Sequence, residues 1–154
     1  MKSRQTVVSS LMIVIAFALV ATSVHAQSGD KYRGRLAPVP GLVDGKTFPV
    51  ANVAGIGSSN AILNGRKLSV SGTFEKMASP ATVAHLFMGP LTGVRGQQVF
   101  DLTVSKTGDG TSGTIAGTFD LTPQQVDAFK KGRFYVQIHS EGAPNGHLMG
   151  WLLK

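Results

Sequence analysis

The chain has 154 residues, no cysteine, and a formal charge of +7 from fifteen Lys and Arg against eight Asp and Glu. The absence of cysteine excludes a disulfide framework, a thiolate zinc site, a cysteine nucleophile and a lipidated N-terminal cysteine. The basic residues fall in small scattered groups (Lys31, Arg33 and Arg35; Arg66 and Lys67; Lys130, Lys131 and Arg133), so a nucleic-acid-binding arm is excluded as well.

The first predicted element is a secretory leader. Lys2 and Arg4 form a positive n-region, and residues 11–20 (LMIVIAFALV) are an unbroken apolar stretch. Val24, His25 and Ala26 end it with a small residue at the cleavage position, which predicts a signal peptide over residues 1–26. The run is shorter than the ~20 residues a bilayer span needs, and no stop-transfer pattern follows. Cleavage takes Lys2 and Arg4 away and leaves a mature charge of +5, thirteen basic residues against eight acidic ones. That balance allows loose attraction to anionic polysaccharide or lipid headgroups.

Residues 27–46 are polar, with Pro38 and Pro40 close together. Proline cannot donate to a sheet ladder, so this segment reads as a tether with at most a short edge strand over 32–36. From Thr47 the pattern becomes that of strands. Residues 67–75 alternate with Leu68, Val70, Gly72 and Phe74 on one face. Further strands are predicted over 82–88, 98–105, 113–119, 133–139 and 147–153, separated by glycine-rich turns.

One helix is predicted, over 123–131. Thr122 is a suitable N-cap with Pro123 at the first helical position. Gln125 completes a capping box, and Leu121 and Val126 can pack as a hydrophobic staple. Gly132 suits the stop. The two strands after it are predicted to form an antiparallel hairpin. The apolar pattern sets Ile138 against Leu148 and Phe134 against Leu152 on the core side. Tyr135 then meets Trp151, and His139 meets His147, on the opposite side.

The order Ala84-His85-Leu86, Gly89-Pro90, Phe100-Asp101-Leu102, Leu121-Thr122-Pro123, then residues 132–140 (GRFYVQIHS) and 146–150 (GHLMG) resembles a CHRD domain. The resemblance covers residues 47–154. It implies an all-β, Greek-key β-sandwich, similar in shape to the copper/zinc superoxide dismutases. The sequence departs from that family's pattern at three places: Phe87 stands for the second histidine of a His-x-His, His147 for an acidic residue and Met149 for a basic one.

Three histidines, His85, His139 and His147, are candidate ligands for copper or zinc. No G-x-S-x-G elbow or HExxH motif is present, and Ser140 beside His139 on one strand points to the opposite face. No enzymatic activity is therefore expected. Tyr135 and Trp151, stacked across an outward sheet face, are the candidate binding surface for a protein or glycan. The function expected is a secreted or periplasmic, non-enzymatic binding module of the envelope or matrix. Its partner would be a protein or polysaccharide, with no nucleic acid and no membrane anchor after cleavage. The alternatives are a copper- or zinc-binding β-sandwich with a redox role, and an oligomer built through an exposed edge strand.

Overall fold

The computed structural model describes residues 28–39, 42–43, 46–47 and 53–154. The leader expected over 1–26, its cleavage point after Ala26, and residues 27, 40–41 and 44–45 of the expected tether lie outside them. The elements run β1 (Asp30–Pro38), β2 (Leu42–Val43), β3 (Lys46–Thr47), β4 (Ile56–Asn64), β5 (Lys67–Glu75), β6 (Ala81–Met88), β7 (Gln97–Thr107), β8 (Ser112–Asp120), α1 (Pro123–Lys130), β9 (Phe134–Ser140) and β10 (Ala143–Trp151).

The chain is all-β with one short helix, as its alternation and turns indicate. Eight antiparallel strands close into one barrel in the order β1-β10-β9-β6-β7-β8-β5-β4, where the resemblance implies a Greek-key β-sandwich. Two strands make the closure. The first half of β7 pairs with β6 and its second half with β8, so this long strand turns one corner. At the other corner β1 pairs with β4 over Asp30 to Leu36 and with β10 at Ala37 and Pro38.

The strand β1 corrects the reading of residues 32–36 as a short edge strand in a tether. It has nine residues and a neighbour on each side. Its alternation is real: Tyr32, Gly34 and Leu36 point inward and are buried, while Lys31, Arg33 and Arg35 face water. Pro38, whose missing N–H suggested an edge, falls at the very end of the strand, where no donor is needed.

The helix forms as its caps dictate. The Gln125 N–H donates to Thr122 Oγ1 at 3.2 Å, and the Thr122 N–H donates to Gln125 Oε1 at 2.9 Å. The helical residues end at Lys130, one short of the expected 131, and Gly132 follows in the left-handed region at φ 67°. Phe129 is buried against Tyr32 and Phe134, with ring centres 4.5 and 5.3 Å away. Val126 is only half-buried. The core is one continuous cluster inside the barrel, including Leu36, Phe74, Leu86, Ile115, Ile138 and Leu148. Each large side chain fully buried there contributes roughly 1.5–3 kcal/mol.

The terminal hairpin keeps most of its expected register. Leu148 pairs with Ile138, Gly150 with Val136 and Trp151 with Tyr135, and the Leu152 N–H donates to the Phe134 carbonyl. It departs at the turn end, where β10 bulges between Ala143 and Leu148. Gly146 adopts a φ of 133° there, and a Cβ at that point would run into the Gln137 amide. His147 consequently does not sit beside His139.

Candidate functional site

The outer face of β6, β9 and β10 carries the chemistry. Alternation places His85 and Phe87 of β6, Tyr135, Gln137 and His139 of β9, and Met149 and Trp151 of β10 on this face. Phe87 and Tyr135 are direct cross-strand partners, and their rings stack at 5.0 Å with planes 9° apart. Tyr135 and Trp151 pack at 4.7 Å. The aromatic row therefore exists, one ring longer than expected, because Phe87 joins it from β6.

Its exposure requires a correction. Tyr135 was expected on an open binding surface, yet it is 1% exposed. The loop over residues 89–96 folds back across it. The Gly96 N–H donates to the Tyr135 hydroxyl at 3.3 Å, and that hydroxyl lies 3.4 Å from the Gly96 carbonyl. Burial pushes the Tyr135 phenol up from its ordinary value. Trp151 stays half-buried at the loop's margin, its ring tip beside Gly89.

Among the three candidate metal ligands, His85 and His139 come together and His147 does not. The rings of His85 and His139 have their centres 5.1 Å apart. His85 Nδ1 is 2.9 Å from the Asp101 carboxylate, which also accepts from the Gln98 amide at 2.6 Å. His139 Nδ1 donates to the Pro144 carbonyl at 2.8 Å. Burial pushes the His139 imidazole below its ordinary value; the Pro144 bond opposes this and the charge of His85 adds to it. No group of three His, Asp or Glu side chains among the described residues stands close enough to hold a metal ion together.

His147 lies at one end of the barrel, 0% exposed. Its Nδ1 is 2.6 Å from Ser140 Oγ and its Nε2 is 2.6 Å from the Ala54 carbonyl. A carbonyl only accepts, so Nε2 carries the proton and Nδ1 accepts from Ser140. Ser79 Oγ in turn donates to Ser140 Oγ at 2.8 Å. Ser140 and His147 have the spacing of a nucleophile and its base, but Ser140 is also 0% exposed and no substrate can reach it. The relay instead ties β9 and β10 to the segments at residues 54 and 79.

A cleft of about 1010 Å³ opens beside the covered face, between the 89–97 loop and the start of α1. Arg95 and Arg133 line it with Met88, Val99, Gln97 and Gln124. Neither arginine is in an ion pair among the described residues. Arg95 reaches Met149 Sδ at 3.2 Å, and Asp127 on the far wall is bound to Lys131 at 2.7 Å. Sequence reading missed both arginines as a pair. They are 38 positions apart, and only the fold-back of the 89–96 loop makes them neighbours of one cleft.

A model of the CHRD domain matches residues 42–152, most of the chain. The chain belongs to the CHRD domain family. The match begins after β1, so the strand that closes this CHRD domain's barrel precedes the matched stretch. A comparison with curated proteins finds no match, and neither does a comparison with solved structures. No helix among the described residues of this CHRD domain is long and apolar enough to cross a membrane.

Proposed function

We propose that this CHRD domain works outside the cytoplasm as a non-enzymatic binding module that holds an anionic polysaccharide or protein of the envelope or matrix. The observation that carries the reading is the cleft between the 89–97 loop and α1, with two arginines facing it and no ion-pair partner for either among the described residues. Arginine presents a planar fork that matches carboxylate and sulfate groups in two parallel bonds. The apolar wall of Met88 and Val99, with Trp151 at the margin, adds area for the uncharged part of a ligand. Secretion is supported by the leader pattern of residues 1–26, and N-terminal sequencing of the exported form is expected to begin at or within two residues of Gln27.

The test of the cleft is a pull-down from the native envelope with wild type and with Arg95→Ala/Arg133→Ala. A partner held by wild type, released by salt and absent with the double variant supports the reading. Equal capture by both proteins overturns it.

A further inference from the structure

We infer that His85 and His139 form a two-imidazole site for a tetrahedral, nitrogen-preferring metal ion of the zinc type on the outer face of β6 and β9. This site is independent of the arginine cleft and differs from a three-histidine site in leaving His147 out.

The geometry starts from the tautomers. A histidine that binds a metal through one nitrogen needs the other held by an acceptor, which fixes the ring and raises its basicity. Both rings meet this condition. Asp101, the direct partner of His85 across β6 and β7, holds His85 Nδ1 from the β7 side. The Pro144 carbonyl holds His139 Nδ1 from the β10 side. With each Nδ1 held by its acceptor, each Nε2 keeps its lone pair, and that of His139 lies beside the amide of Gln137, the β9 residue paired with His85.

The separation also fits. Two imidazoles bound to one ion at about 2.0 Å with a tetrahedral angle stand with ring centres about 5 Å apart. Here the centres are 5.1 Å apart. Little has to be displaced. The Gln137 amide is 3.5 Å from His139 Nε2, at the outer limit of a hydrogen bond, while its firm bond is to the Asn145 carbonyl at 2.9 Å. His85 keeps 18% of its side chain exposed, so an ion can enter. Asp101 itself is spent on His85 Nδ1, and no three-ligand group exists among the described residues. The ion would keep two positions open to water or to a donor from outside the chain.

The experiment is a titration of the untagged protein with zinc chloride, followed by imidazole nitrogen NMR and by calorimetry. The Nε2 signals of His85 and His139 should move together while those of His147 stay fixed. His85→Ala and His139→Ala should each lower zinc affinity at least tenfold, and Asp101→Asn, which leaves both ligands in place, about tenfold. Magnesium at the same concentration should move nothing. The proposal is overturned if zinc up to millimolar moves neither ring, if His147 moves with them, or if the two alanine variants bind zinc as wild type does.

Discussion

With Ser140 donating to its Nδ1 and the Ala54 carbonyl accepting from its Nε2, the His147 ring has no place for a second proton. Burial pushes this imidazole below its ordinary value, against the opposing effect of the Ala54 bond, and His139 is shifted the same way. An unfolded histidine takes up its proton near pH 6.5. Below that value the unfolded chain binds protons that the folded chain refuses, so the stability is complete above it and falls as the pH drops through it. Urea midpoints are therefore expected to decline from pH 7.5 to pH 5. His147→Ala should cost about 2–4 kcal/mol at pH 7.5, through a cavity and the Ser140 hydroxyl left without its acceptor, and should flatten that decline. An unaltered slope in the variant would assign the acid sensitivity to other groups. The sequence marked His85, His139 and His147 as the residues to watch, because imidazole is rare and chemically versatile. It could not show which two would meet, since that depended on the bulge at Gly146, which reads in sequence as an ordinary turn.

At the scale of single elements, local rules carried furthest where the controlling contacts are local. The boundaries of α1 follow from Thr122, Pro123, Gln125 and Gly132, all within one turn of its ends. Thr122→Ala should lower stability by ~1 kcal/mol, and an unchanged unfolding midpoint would mean that the capping bonds contribute nothing. Strands β5 and β9 were legible from their alternation alone, and the core-side pairing of Ile138 with Leu148 follows from it. Ile138→Ala, at a fully buried site, should cost about 2–5 kcal/mol in denaturant titration. By contrast β1 was hidden. Its inward set includes Gly34, which carries no apolar side chain, and the prolines after Leu36 argued for a tether. Only the presence of β4 on one side and β10 on the other makes it a central strand. The 89–96 loop was equally illegible, because nothing in its own residues says that it will lie over Tyr135 rather than extend into water.

Taken as a whole, the barrel leaves its own strands without a long free edge among the described residues, which disfavours oligomers built through a barrel strand. Light scattering is expected to give one monomeric mass over a wide concentration range, and a mass that rises with concentration would point to a different surface. Closure has a second consequence, set by where the chain enters and leaves the barrel. Lys154 Nζ lies 2.7 Å from Asp30 Oδ1, and Arg33 and Leu153 exchange backbone hydrogen bonds at 2.7 and 2.9 Å. The first and last strands thus end side by side, and a short glycine-serine linker can span them without distorting either. The exposed turn at Gly108 and Asp109, which is not part of the cleft's lining, offers a place to open new ends. A circular permutant joined from Lys154 to Asp30 and opened at that turn should fold to the same barrel, with a modestly lower melting temperature and unchanged circular dichroism. If it does not fold, the hairpin of β7 and β8 must form first and unbroken, and the order of assembly in this barrel is dictated by that turn rather than by the strand that closes it.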